Sequence, residues 1–457
     1  MKLDRIKKES FEIFFKNLTK SGIGDNGISI ENIEEIEEKI GNAIKAIKIL
    51  RERGEAKGHG EKVLFTKLPY QMEEKRELIE KILNFGKMVR SNYKYVVSLG
   101  IGGSYLGNQV LVDALIHPFQ FSEEIPKVYF AGNNVDPTTL KGLFEVIDIE
   151  KTMFIVISKS GTTMETMAAF LYTFSKIKER GLSPQNHFTA ITDREKGVLR
   201  KIVRDLHLES FEVPEGIGGR WSVLSEVGLV LASILNIDIE NLLLGAKKMD
   251  EITSNEDLFE NPAYLYATLS YLLYKKKGFN ESVLMPYSDR LKSLSLWYVQ
   301  LLAESLGKEK NRSGEIVNEG RTPIPALGTT DMHAQTQQHR EGKYNKIITM
   351  IGVKDFGEWD IKLPDKNPFS EKLNFLNGKK FSTLLSTALE ANEIALSKAE
   401  RPVCKIIIPE INEFYLGMLF YFFEIATAFE GELLDVNPYD QPGVEDYKKI
   451  MKEKLNG

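Results

Sequence analysis

A single cysteine, Cys404, stands in a chain of 457 residues. One thiol cannot close an internal disulfide. Its place in the apolar run Val403-Cys404-Lys405-Ile406-Ile407-Ile408 suits a core residue better than a nucleophile. Histidine is also scarce. The six are His59, His117, His187, His207, His333 and His339. They form no H-E-x-x-H pattern, so neither a protein-bound metal nor a cofactor is expected. No apolar run approaches the length of a membrane span. The opening Met1-Lys2-Leu3-Asp4-Arg5 lacks the apolar stretch of a secretory signal. Excess positive charge is missing as well: a formal net charge of -5 excludes the basic footprint of a nucleic-acid binder. These absences lead to the expectation of a cytoplasmic globular protein, and the length calls for two domains or more.

What is present centres on Ile155-Val156-Ile157-Ser158-Lys159-Ser160-Gly161-Thr162-Thr163-Met164-Glu165-Thr166. With Met153 and Phe154, its first half is an apolar run of strand length, as in a parallel sheet covered on both faces. Five hydroxyl residues then follow within nine positions, before a helical pattern through Met167, Phe170, Leu171 and Phe174. Hydroxyls and backbone N–H groups therefore gather where a strand ends and a helix begins, which favours an anion. One or two hydroxyls suffice to cap a helix. Five point to an oxyanion, with phosphate the natural choice.

Strand, turn and helix alternate from residue 93. Strands are expected at Tyr95–Leu99, Val128–Ala131, Met153–Ile157, His187–Ile191 and Phe211–Val213. Asp136 should cap a helix that starts at Pro137. A second, less regular α/β stretch has strands at Ser282–Met285, Lys346–Ile351 and Val403–Ile408. The apolar helix from Tyr415 through Phe429 should be buried. Residues 1–54 read as helical, with Ile33, Ile36, Ile40, Ile44 and Ile47 on one face and Ser29 as a cap. The expected fold class is α/β: two doubly wound parallel-sheet domains with helical N- and C-terminal extensions. The divisions are 1–54 (helical extension), 55–240 and 241–435 (the two α/β domains), and 436–457 (C-terminal helical segment).

Gly100-x-Gly102-Gly103-Ser104 is not a dinucleotide loop, because Tyr105 stands where the third glycine belongs and no acid follows the next strand. It remains a glycine turn that brings backbone close either to a ligand or to its own packing partner, with Ser104 at a helix start. Gly216-Ile217-Gly218-Gly219-Arg220-Trp221-Ser222 sets an arginine between glycines that leave room for a ligand and a helix expected to start near Ser222. Gln300 and Glu304 share one helix face. Gln441 and Lys448, seven apart, share a face if one helix includes both.

Together, Gly218–Ser222, Ser158–Thr166 and the Tyr439–Lys448 segment (Y-D-Q-x-G-V-E-x-x-K) resemble the glucose-6-phosphate isomerase family of the sugar-isomerase superfamily, in the right order and spacing from about residue 55. Two positions depart from the family pattern: Trp221 stands where Phe or Tyr is usual, and Glu226 where a small residue is usual. The resemblance implies metal-independent interconversion of an aldose phosphate and a ketose phosphate. It implies Glu304 as the base, Arg220 as the group offsetting enediolate charge, and His333 with Lys448 as the ring-opening pair. Ser158, Lys159, Ser160, Thr163, Thr166, Gly103 and Ser104 would hold the phosphate, and Gln300 and Gln441 would line the sugar. It also implies a homodimer in which the histidine is lent by the partner subunit. Two alternatives stay open at this stage: an isomerase that also converts mannose 6-phosphate, and a non-enzymatic sugar-phosphate sensor.

Overall fold

The computed structural model describes residues 4–8, 10–120 and 122–456. The strands in chain order are β1 (Arg5–Lys8), β2 (Phe11–Phe14), β3 (Tyr95–Leu99), β4 (Lys127–Ala131), β5 (Thr152–Ile157), β6 (Phe188–Thr192), β7 (Glu209–Glu212), β8 (Glu281–Pro286), β9 (Lys308–Lys310), β10 (Ile316–Glu319), β11 (Thr322–Pro325), β12 (Lys346–Val353) and β13 (Val403–Ile408). They fall into two compact units. One comprises residues 53–55 and 61–247; the other comprises 1–52, 56–60 and 248–457.

The unit of residues 61–247 holds a five-stranded sheet in the order β4-β3-β5-β6-β7, parallel throughout. All six residues of the central β5 are buried. That explains a continuous apolar run without the alternation of a half-exposed strand. Phe154 and Val156 of β5 pack with Val97, Phe170 and Phe188 in one core. The cap expected at Asp136 is present: its carboxylate accepts the Thr138 N–H at 2.9 Å and opens the helix Pro137–Val146.

The second unit is built on a six-stranded sheet in the order β1-β2-β13-β12-β8-β11. Strands β13, β12, β8 and β11 run parallel. β2 pairs antiparallel with β13, and β1 antiparallel with β2. The expectation of a purely helical N-terminal segment is corrected here: Arg5–Lys8 and Phe11–Phe14 form an antiparallel strand pair that widens this sheet. Its helical part also divides into Ile30–Glu34 and Glu37–Arg53. Ser29 caps the first of these, with Asn32 reciprocating. Strands β9 and β10 form a separate hairpin.

Helix Glu413–Leu434 is buried along nearly its whole length. The Tyr264 ring, on helix Pro262–Lys277, stacks on its Phe429 at 4.2 Å between centroids. Helix Glu413–Leu434 also supplies Glu430, which receives Arg321 at two points, Nε at 3.0 Å and Nη2 at 2.5 Å, while Nη1 donates to Ser282 Oγ at 2.8 Å. Burial pulls the Arg321 guanidinium down, but the charge and hydrogen bonds of Glu430, together with the neighbouring Tyr298 and Tyr266, outweigh it and hold the group above its ordinary value. Cys404 is fully buried in β13, and burial pushes its thiol well up, which agrees with a core role. Among the described residues no helix is long and apolar enough to cross a membrane.

Candidate active site

The hydroxyl loop leaves β5 at its carboxyl end, where parallel α/β sheets bind ligands. Helix Met164–Glu179 follows it. Thr163 occupies the N-cap position, yet its side chain makes no capping hydrogen bond. The loop's hydroxyls turn to one another instead. Ser158 Oγ accepts the Gly161 N–H at 3.0 Å and lies 3.4 Å from Thr163 Oγ1, while Ser160 Oγ and Thr162 Oγ1 are 2.9 Å apart. Gly161 has φ of +68°, and a Cβ there would meet the Leu199 backbone nitrogen at 2.1 Å, so only glycine fits. Ser158 and Thr166 are buried; Lys159 and Ser160 are exposed. The Thr166 Oγ1 is buried with no hydrogen-bond partner.

The glycine turn after β3 and the arginine turn meet backbone to backbone. A Cβ on Gly103 would lie 2.0 Å from the Gly219 carbonyl oxygen. Packing within the unit thus accounts for Gly103 without any ligand. Ser104 closes a short 3-10 turn, and the helix begins two residues later at Leu106, so the serine does not cap it. Arg220 is 2% exposed, and its guanidinium carbon lies 6.0 Å from the Trp221 ring centre. The helix expected near Ser222 starts at Glu226 instead. The delay arises because Ser222 Oγ donates to the Gly219 carbonyl at 2.6 Å, and Ser225 provides the cap. Glu226, the departure from the family pattern, is buried at the first position of that helix. Burial raises its carboxyl.

In the other unit, helix Lys292–Leu306 carries Gln300 and Glu304 on one face as the spacing requires, and the Gln300 Nε2 donates to Glu304 Oε1 at 3.0 Å. His333 is exposed at the end of the turn Thr330–Met332. That turn is fixed by Asp331, whose carboxylate accepts the Leu327 N–H at 2.7 Å. Gln441 and Lys448 do not share a helix. Pro442–Val444 form a 3-10 turn, and the helix Glu445–Leu455 begins only after it. Both residues are exposed, and Lys448 pairs with Glu445 at 2.9 Å.

Motif reading gave no role to Lys308. It is buried, and its ammonium donates to the Glu304 carbonyl at 2.9 Å, the Asp440 carbonyl at 2.5 Å and Asp440 Oδ1 at 2.9 Å. The segment carrying Gln441 is thereby joined to the helix carrying Glu304, across 132 residues of sequence.

One unit carries a hydroxyl-rich loop at the end of a parallel strand, the other a carboxylate held on a helix face, and each fits the class of phosphosugar isomerases. The similarities to known proteins are narrower. The family profile described as "Phosphoglucose isomerase" matches residues 4–456, and the chain belongs to that family. It is 40% identical over 450 residues to the glucose-6-phosphate isomerase of Carboxydothermus hydrogenoformans, covering 97% of this chain and 93% of that protein. It is 35% identical to the probable glucose-6-phosphate isomerase of Methanococcus maripaludis, covering 98% and 95%. Among solved structures, a hypothetical protein from Thermus thermophilus superposes with a TM-score of 0.82 at 31% identity, covering 93% of this chain and 97% of that one. A glucose-6-phosphate isomerase from Chlamydia trachomatis gives 0.85 at 23% identity, covering 100% and 90%, a likeness of fold.

Proposed function

We propose that this chain interconverts glucose 6-phosphate and fructose 6-phosphate through a cis-enediolate, with no metal required. The observation that carries the reading is the Gln300–Glu304 pair: an amide donor holds a carboxylate in a fixed orientation on one helix face. A base that moves a proton between C2 and C1 needs that orientation. Arg220, buried and always charged, offsets the negative charge that develops on the enediolate oxygens. The hydroxyls of Ser158, Ser160, Thr163 and Thr166, with the backbone at Lys159, Gly103 and Ser104, hold the phosphate. Thr163 supports this, since its hydroxyl does not cap the helix but faces that of Ser158 at 3.4 Å. Gln300 and Gln441 line the sugar. His333 and Lys448 open the pyranose ring by moving protons between the ring oxygen and O1.

The working assembly is a cytoplasmic homodimer in which His333 serves the partner's site. The exposure of His333 supports the loan. Mixing inactive His333→Ala with inactive Glu304→Ala tests it, because a mixed dimer contains one intact site. Activity should return after subunit exchange; no return despite demonstrated exchange means that one chain supplies both groups. The reaction itself is tested by a coupled assay with fructose 6-phosphate in EDTA. Turnover should persist, and its loss on chelation would contradict a metal-free route.

A further inference from the structure

We infer that Lys308 is a positioning residue, fastening the segment that carries Gln441 to the end of the helix that carries Glu304. This deepens the isomerase reading and rests on it.

The last carbonyls of a helix have no partner inside it. A lysine near a helix C-terminus commonly satisfies one of them, and that accounts for the bond from Lys308 to the Glu304 carbonyl. Capping does not account for the two bonds to Asp440. One of these goes to the Asp440 carbonyl, which belongs to the peptide unit shared with Gln441. A peptide unit is planar and rigid, so holding that oxygen restrains the whole unit, which includes the Gln441 nitrogen and Cα. The other goes to the Asp440 side chain, whose second oxygen accepts Asn437 Nδ2 at 2.9 Å. Asn437 Nδ2 is in turn 3.3 Å from His59 Nδ1, and Tyr439, nearly buried, packs its ring against that of His59 at 6.0 Å. The segment 437–440 is therefore anchored at several points, and Lys308 ties it to the Glu304 helix. Misplacing a substrate-positioning group by about 1 Å can cost ~10²-fold in rate.

The test uses Lys308→Met, which keeps the aliphatic stem and removes every donor, in the full-length protein. We measure kcat and KM for fructose 6-phosphate, and inhibition by a phosphorylated aldonate (an enediolate mimic) and by inorganic phosphate. The expected result is a fall in kcat of about 10- to 100-fold. Aldonate affinity should fall with it, while phosphate affinity, assigned to the 158–166 loop, stays within about twofold. Lys308→Arg should recover part of the loss, since it restores a charged donor. In a double-mutant cycle, Lys308→Met should cost little once Gln441→Ala is present, because a positioning residue has nothing left to place. Full additivity would overturn the inference, as would near-normal kcat and aldonate affinity in a folded Lys308→Met. If Lys308→Met does not fold, Asp440→Ala is put through the same cycle with Gln441→Ala, and additivity there is equally decisive. Absence of turnover in the unmutated protein would instead bring down the isomerase reading.

Discussion

The Gln300 amide donates to the Glu304 carboxylate at 3.0 Å, one helical turn apart. The contact holds the carboxylate in one orientation. Glu304→Gln keeps size and most hydrogen-bonding capacity but removes the base. General-base catalysis contributes ~10²–10⁴-fold, and kcat should fall by that order. Affinity for a phosphorylated aldonate should change far less. In D₂O the unmutated protein should place some solvent deuterium at the transferred position. Unlabelled product together with near-normal turnover in Glu304→Gln would defeat the enediolate route.

Thr163 stands at a helix N-cap without capping it. Thr163→Val should therefore leave thermal stability nearly unchanged and raise KM for the phosphorylated sugar. A hydrogen bond to a charged group contributes ~1.5–3 kcal/mol, roughly a 10- to 150-fold effect on binding. The reverse pattern, a lower Tm with an unaltered KM, would make the loop a structural turn.

Arg321 and Glu430 form a bidentate pair with side chains 0% and 2% exposed. Removing one partner leaves a buried charge uncompensated. Arg321→Met should lower unfolding stability by ~3–5 kcal/mol. The double variant Arg321→Met with Glu430→Leu should recover much of that loss. Denaturant titration of the three proteins checks both statements. A double variant less stable than Arg321→Met would show that the pair contributes more than mutual neutralisation.

His339 is buried beside Lys346, and burial first, then that lysine, pulls its imidazole down from 6.5 to about 4. The folded protein holds it neutral where the unfolded chain would bind a proton. Its contribution to stability is thus complete above pH 6.5 and is lost as pH falls toward about 4. Unfolding midpoints measured across that window should decline more steeply for the unmutated protein than for His339→Gln. Parallel declines would remove His339 as the cause.

The strands most plainly legible in the sequence are those buried on both faces, such as β5, whose composition alone excludes a surface position. Five others were hidden, β1, β2, β9, β10 and β11, and three of them show the physical reason. Arg5–Lys8 has one apolar residue in four and shows no periodicity. β2 is a four-residue run inside a stretch dominated by helical spacing. β11 contains Pro323 and Pro325, which argue against a strand except at a sheet edge, and an edge is where it lies. At the candidate site, spacing alone revealed the Gln300–Glu304 face, because four residues make one helical turn. The same reasoning failed for Gln441 and Lys448, since Pro442 and Gly443 open a new turn between them. The tie from Lys308 to Asp440 had no local signal at all. Long-range pairing of polar groups leaves no periodicity behind.

The β1–β2 strand pair sets an order of events during synthesis. Ile13 on β2 is paired with Ile406 on β13, so the first strands must wait for almost the last. At ~5–20 residues per second, roughly 400 residues take on the order of 20–80 s to emerge. Throughout that interval Phe11, Ile13 and Phe15, all buried in the finished protein, have no sheet to join. The unit of residues 61–247 is complete in sequence well before then. A nascent chain stalled ahead of β13 would therefore present β2 as an unpaired apolar edge, the kind of segment that chaperones recognise.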